Sequence, residues 1–95
     1  MNILYLASAR DDLVWMRHYY GAVFPEGQKN VQKQFHAVEN ALLANPFIGD
    51  STHSKDVREL AIPKTPFSFI YRVFPDRIEV LHIWDERRDR AKLVE

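Results

Sequence analysis

Cysteine is absent from this 95-residue chain. Neither a disulfide framework nor a thiolate metal site can therefore hold the fold together, and packing must do so. No apolar run approaches the roughly 20 residues of a membrane-spanning helix, and the first residues lack the charged-then-apolar pattern of a secretory signal. The sequence therefore predicts a cytoplasmic protein without a membrane partner.

An excess of charge of either sign is also missing, because 13 lysines and arginines balance 13 aspartates and glutamates. No global positive field draws such a protein onto nucleic acid. The positive charge is uneven, however, and a basic C-terminal tail is predicted over residues 85–95. Four cations crowd that tail: Arg87, Arg88, Arg90 and Lys92.

Residues with metal-binding chemistry are dispersed along the chain. The four histidines have no ligand-like spacing, and the carboxylates form no clustered pattern. Zinc, calcium and magnesium sites need several such groups close together. We therefore expect no metal and no cofactor.

What the chain does contain is apolar sequence, 46% of its residues, which suffices for one core in a single domain over residues 1–95. Asn2 to Ala7 is typical of a buried strand, and Ser8 of a helix N-cap. Apolar residues then repeat at helical spacing and predict two helices, the first ending near Phe24 and the second near Ala44. The two sets are Leu13, Met16, Tyr20 and Val23, then Val31, Phe35, Val38 and Leu42.

Residues 45–55 are rich in turn formers and predict the longest loop. Residues 56–62, 66–74 and 77–84 are rich in β-branched and aromatic residues and predict three strands. The order β-α-α-β-β-β indicates an α+β fold, a small antiparallel sheet packed on a two-helix hairpin.

Pro75 and Asp76 suit a two-residue turn, which would place Val73 opposite Ile78 and Ile70 opposite Leu81. This register divides the hairpin into two faces. The face assigned to the helices carries Phe67, Phe69, Tyr71, Val73, Ile78, Val80 and Trp84. The other carries Ser68, Ile70, Arg72, Glu79, Leu81, Ile83 and Asp85, and its apolar centre predicts a partner surface.

Three strings of residues resemble a known family: Val57-Arg58-Glu59-Leu60, Ile70-Tyr71-Arg72-Val73, and Val80-Leu81-His82-Ile83-Trp84 followed by Arg88-Asp89. In this order and spacing, the chain resembles the ParE/RelE superfamily of toxins from type II toxin-antitoxin modules. The resemblance implies the same element order, together with a cognate antitoxin that wraps an extended segment over the toxin. It also implies growth arrest and, for ParE-like members, plasmid stabilization.

The two branches of that superfamily differ in their targets, because RelE-like toxins cut messenger RNA on the ribosome and ParE-like toxins poison DNA gyrase. RelE-like toxins commonly carry an arginine where this chain has Ser68, and a hydroxyl cannot stabilise a developing phosphate charge as a guanidinium does. The ParE-like branch is therefore favoured, with a DNA gyrase inhibitor as the expected function. The alternatives are a metal-independent ribonuclease acting on ribosome and mRNA, and a non-toxic relative that only binds its antitoxin.

The resemblance also supplies candidate site residues. The target-binding candidates are Arg58, Arg72, Asp85 and Arg88, of which Asp85 stands where many relatives have a histidine. The antitoxin-binding candidates are Ile70, Leu81 and Ile83 from the apolar centre of the second face. Structural explanations compete for these arginines: an ion pair with Glu59, Asp56 or an early acidic residue for Arg58, and one with Glu79 for Arg72. At the tail, the spacing also allows a solvated helix end in which Arg87, Arg88 and Arg90 pair with Asp85, Glu86 and Asp89.

Overall fold

Five strands and two helices follow one another along residues 1–88, which are the residues that this computed structural model describes. The predicted α+β order is confirmed, with one additional short strand inside the predicted long loop. No helix in residues 1–88 combines the length and the apolar character needed to cross a bilayer. The elements are β1 (Asn2–Tyr5), α1 (Ala7–His18), α2 (Gln28–Ala44), β2 (Asp50–Ser51), β3 (Val57–Ala61), β4 (Phe67–Val73) and β5 (Arg77–Asp85).

The strands form one sheet in the order β1-β5-β4-β3-β2. Strands β2 to β5 pair antiparallel, whereas β1 pairs parallel with β5, so the sheet is mixed and not purely antiparallel. A parallel pair needs a long crossover, and the two helices between β1 and β3 belong to that connection. The predicted sheet lacked this parallel pair because strand direction depends on the path of the whole intervening chain.

The β4–β5 hairpin departs from its predicted register at Leu81. Pairing follows the prediction as far as Tyr71 opposite Val80, but the next pair is Ile70 opposite His82, so Leu81 is an extra residue on β5. A bulge moves every later residue to the opposite face. The predicted faces are therefore wrong for Ile83, Trp84 and Asp85.

Helix α1 explains where the bulge lies. Strand β1 pairs with β5 only as far as Val80, and the backbone N–H of Leu6 then donates to the Val80 carbonyl at 3.0 Å. Beyond this point α1 lies along β5 in place of a strand. The Ser8 hydroxyl donates to the Leu81 carbonyl at 2.6 Å, so Ser8 ties the helix to the sheet. Ser8 was predicted as the N-cap, but the N-cap of α1 is Leu6.

Asp12 continues this contact one turn further along α1. Its Oδ2 accepts a hydrogen bond from the backbone N–H of Ile83 at 3.1 Å and lies 3.0 Å from Nδ1 of His82. A buried backbone N–H without an acceptor is costly, and no strand within the described residues supplies one on this side of β5. The carboxylate of Asp12 therefore replaces a partner strand.

The main core lies between the helices and one face of the sheet. On α2 the predicted apolar stripe is confirmed, with Val31, Val38 and Leu42 buried and Phe35 packed against them. On α1 the stripe ends early, because residues Tyr19–Val23 form a turn of π-helix and Val23 is left 61% exposed. A π-helical turn changes the angle between successive side chains, so the spacing of three and four no longer marks one face.

We expect Asp12→Ala to lower the free energy of unfolding by about 1–3 kcal/mol, because it leaves the Ile83 N–H without its acceptor. Asp11→Ala is the matched control, since Asp11 is the exposed neighbour on the same helix turn. Urea unfolding of both variants measures the difference. Equal losses for the two aspartates would show that Asp12 does not hold α1 on β5.

Candidate functional site

The four predicted target-binding residues do not converge on one site. Arg72 lies on β4 near its end at Val73, whereas Asp85 pairs with Phe67 at the other end of the same strand. Arg72 and Phe67 are five residues apart along β4, which corresponds to a distance of about 16 Å along the strand. Arg58 belongs with Arg72, because both line the same groove, and Arg88 belongs with Asp85.

Arg58 anchors the loop before β2. Its Nη1 donates to the carbonyl oxygens of Gly49 at 2.8 Å and Phe47 at 3.3 Å, and its guanidinium lies 5.2 Å from the centre of the Phe47 ring. These carbonyls occupy the guanidinium in place of the carboxylate expected from Glu59 or Asp56. The structure therefore gives Arg58 a structural explanation, although not the predicted ion pair.

Tyr71 holds the same loop from inside the sheet. Its hydroxyl donates to the Pro46 carbonyl at 2.9 Å and accepts from the Gly49 N–H at 3.0 Å. Burial raises the pKa of Tyr71 above its ordinary value, so the hydroxyl stays protonated as a donor. A Cβ at Gly49 would lie 2.5 Å from that hydroxyl oxygen, so only glycine permits this close approach.

Arg72 stands opposite Glu79 as predicted, but Glu79 accepts a hydrogen bond from Nε of Arg77 at 2.7 Å. Within residues 1–88 the Arg72 side chain forms neither an ion pair nor a hydrogen bond. It lines a groove of about 820 Å³ together with Lys55 and Arg58. An unpaired guanidinium in an open groove is available to an anionic group of a partner.

Asp85 is buried, with 3% of its surface exposed, and is held by several donors. Its Oδ1 accepts from the backbone N–H and the Nε of Arg87 at 3.0 and 2.9 Å. Its Oδ2 accepts from Nη2 of Arg87 at 2.7 Å and from the indole N–H of Trp15 at 3.4 Å. The Arg87 guanidinium holds the pKa of Asp85 below its ordinary value.

This pairing limits the chemistry of Asp85. A carboxylate that stays ionised well below neutral pH is a poor proton acceptor at pH 7, and here both of its oxygens are occupied. The residue that stands where many relatives have a histidine is therefore a structural anion. Its contacts connect β5 to α1 through Trp15.

Arg87 and Tyr19 complete this cluster, and neither was among the predicted site residues. Nη1 of Arg87 donates to the Tyr19 hydroxyl at 3.1 Å, and the guanidinium lies 4.5 Å from the centre of the Tyr19 ring. The sequence contained one signal, an arginine two residues after an aspartate at the end of a strand. Nothing in it indicated that Tyr19 lies beside them.

Arg88 follows this cluster at the end of β5. Its side chain is exposed, its backbone N–H donates to the Asp85 carbonyl at 2.9 Å, and its guanidinium lies 5.0 Å from the centre of the Trp84 ring. The strand end thus holds the backbone of Arg88 and leaves its guanidinium accessible. The rest of the predicted basic tail, with Arg90 and Lys92, lies outside the described residues.

The predicted antitoxin strip is not an exposed surface. Ile70, Leu81 and Ile83 are 0%, 6% and 1% exposed. Ile70 and Leu81 pack with Val57 and Trp84 in a second cluster, whereas the bulge moves Ile83 into the core under the helices. The three residues therefore do not share a face, and a charge at Leu81 would disturb folding before it disturbed a complex.

Within the described part of the chain, no group of three or more histidine, aspartate or glutamate side chains comes together as metal ligands.

The element order and the sheet topology fit the ParE/RelE superfamily that the sequence resembles. Within that superfamily the chain belongs to the ParE toxin family, because the family model for the ParE toxin of the type II toxin-antitoxin system parDE matches residues 3–90. It is similar to a solved structure described as the chromosomal ParDE TA system from P. aeruginosa. That similarity has a TM-score of 0.68 and 27% sequence identity, over 87% of this chain and 92% of the other. No curated protein matches the sequence.

We expect Asp85→Asn to destabilise the protein by about 1–3 kcal/mol at pH 7, because the amide cannot replace the charged contacts with Arg87. The lowered pKa of Asp85 gives a stabilisation that is present above the unfolded carboxyl value and is lost as pH falls through the folded value. The difference in the free energy of unfolding between wild type and Asp85→Asn should therefore become smaller below about pH 4. Urea unfolding across pH 3–7 measures it, with exposed Asp76→Asn as control, and a gap that does not change with pH would contradict this account.

Proposed function

We propose that the protein is a cytosolic toxin that arrests bacterial growth by inhibiting DNA gyrase, and that a cognate antitoxin neutralises it. It acts by binding its target and makes or breaks no covalent bond. Membership of the ParE toxin family supports the toxin-antitoxin role. Gyrase as the target is the step that the arrangement of the site supports and that experiment must test.

The observation that carries this proposal is the engagement of Asp85 with Arg87. A ribonuclease of the RelE type needs a proton acceptor and phosphate-stabilising cations around one scissile bond. Here Asp85 is buried in a charged pair, Arg58 binds loop carbonyls, and Ser68, where RelE-like toxins commonly carry an arginine, is only 4% exposed. These residues favour a binding protein over a ribonuclease.

Among the predicted target-binding residues, two cationic side chains are available to a target. Arg88 is presented at the end of β5. Arg72 lies in the groove at the other end of β4, and its side chain has no ion-pair partner among residues 1–88. Because net charge is zero, recognition must rest on such local contacts and not on long-range attraction. Arg88 is the stronger candidate, since its backbone is fixed by the strand end.

Because the Ile70–Leu81 cluster is buried, a different apolar surface is the better candidate for antitoxin binding. An open cavity of about 250 Å³ lies between α1, α2 and β1, with an apolar lining and a polar rim. An apolar anchor of the antitoxin fits such a cavity, and the polar rim suits its flanking residues. The lining includes Leu13, Met16, Tyr20, Val31 and Phe35.

Hydrogen exchange of the toxin in complex with the antitoxin encoded beside it tests this location. We expect added protection in α1 and α2 around the cavity, because the bound anchor suppresses local opening. Protection confined to β2 and β3, with α1 and α2 unchanged, would place the antitoxin on the groove lined by Arg58 and Arg72 instead.

Purified protein is expected to inhibit supercoiling by DNA gyrase, and its expression in bacteria to cause filamentation with a DNA-damage response. Arg88→Ala should strongly weaken both effects without abolishing them and should change the melting temperature little, because an exposed arginine contributes little to folding. Arg10→Ala, an exposed arginine on α1, is the matched control and should remain toxic. Prompt loss of translation with cleaved messenger RNA, and no effect on supercoiling, would instead support the ribosomal alternative.

A further inference from the structure

We infer that Arg87 is a positioning residue that acts with Asp85 and Tyr19 to fix the turn after β5, so that Arg88 is presented to the target in one conformation. The inference rests on the proposed function only in its activity readout. The fixed turn itself has a structural readout that does not depend on the target.

The turn after β5 is closed by a charged pair within three residues of chain. Arg87 binds both oxygens of Asp85 through its side chain, Nε to Oδ1 at 2.9 Å and Nη2 to Oδ2 at 2.7 Å. Its backbone N–H binds Oδ1 as well, at 3.0 Å. A two-point arginine–carboxylate contact fixes orientation as well as distance, so the side chain and the turn backbone hold each other.

Contacts to three other parts of the fold attach this turn to the body of the protein. The indole N–H of Trp15 donates to Asp85 from α1, and the Tyr19 hydroxyl accepts from Arg87 at the start of the π-helical turn. The backbone N–H of Glu86 donates to the carbonyl of Pro66, just before β4, at 2.7 Å. The turn therefore cannot rotate as a unit without breaking several of these bonds.

These hydrogen bonds determine the position of Arg88. Its backbone N–H is bound to the Asp85 carbonyl, and its guanidinium lies over Trp84, a ring that is only 3% exposed and thus fixed. A side chain already ordered before binding loses less conformational entropy when it meets a partner. Loosening the turn should therefore weaken binding even though every atom of Arg88 is unchanged.

A direct contact between Arg87 and the target is the competing explanation, because 48% of the Arg87 side chain is exposed. The two explanations differ in how Arg87 and Arg88 combine. If Arg87 acts through Arg88, its removal has no further effect once Arg88 is gone. If both touch the target, their effects multiply.

The test is a double-mutant cycle of Arg87→Ala, Arg88→Ala and the double variant, with Arg10→Ala as control. The readout is the concentration that half-inhibits gyrase supercoiling or, if gyrase is not inhibited, the expression level that halves growth. We expect Arg87→Ala to inhibit about ten-fold more weakly than wild type, because this factor corresponds to the entropy cost of ordering one long side chain on binding. The double variant should be as weak as Arg88→Ala alone. Effects that multiply, or an Arg88→Ala variant as active as wild type, would overturn the inference.

Amide hydrogen exchange supplies the readout that does not depend on a target. In Arg87→Ala the backbone N–H of Arg88 should exchange faster while the amides of β4 keep their protection, and unchanged exchange at Arg88 would overturn the inference. If Arg87→Ala does not fold, because it leaves Asp85 buried without its cation, Tyr19→Phe takes its place. That variant removes one hydrogen bond from Arg87, leaves Asp85 paired, and should show the same two effects to a smaller degree.

Failure of the gyrase proposal and failure of this inference are distinguishable. If the wild-type protein does not affect supercoiling, gyrase is not the target. The double-mutant cycle measured by growth and the amide exchange rates still decide the role of Arg87.

Discussion

Among residues 1–88, the second half of β5 has no partner strand on one side, and much of the structure depends on how the backbone groups of that edge find hydrogen-bond partners. β1 ends at Tyr5, so the carbonyl of Leu81 and the N–H of Ile83 need partners from elsewhere. Ser8 and Asp12 on α1 supply them. The helix is thereby tied to the sheet edge, and its aromatic residues Trp15 and Tyr19 reach the end of β5.

The bulge at Leu81 lies at the point where β5 exchanges β1 for α1 as its neighbour. The added residue turns Ile83 and Asp85 toward the helices and Trp84 away from them. Only in this register do Asp85, Trp15 and Tyr19 meet. The edge contact, the bulge and the buried charged pair are consequently parts of one arrangement, in which a change at α1 propagates to the end of β5.

Arginines serve different purposes in this small protein although its net charge is zero. Arg58 and Arg87 bind acceptors of the protein itself, carbonyl oxygens in one case and a carboxylate in the other. Arg88 lies over an aromatic ring and keeps its donors exposed. Family membership identifies a ParE-family toxin, and this division separates arginines that hold the fold together from an arginine that a partner can reach.

The sequence by itself determined the element order, both helices, the three long strands and the family. These follow from the spacing of apolar residues, from prolines at the turns and from short strings such as Ile70-Tyr71-Arg72-Val73. All three are local signals, which depend on residues close together in the sequence. The α2 stripe was predictable for the same reason, since a regular helix converts spacing directly into a face.

Only the tertiary structure decided the parallel pairing of β1, the bulge at Leu81 and the partners of Asp85. Each depends on groups far apart in the chain, such as Asp12 with Ile83 or Tyr19 with Arg87, and no local pattern records which distant acceptor satisfies a strand edge. A one-residue slip inverts every later side chain of a strand. The unpredicted contact between α1 and β5 therefore decided whether Ile83 was core or surface, and whether Asp85 was a target-binding candidate or a buried anion.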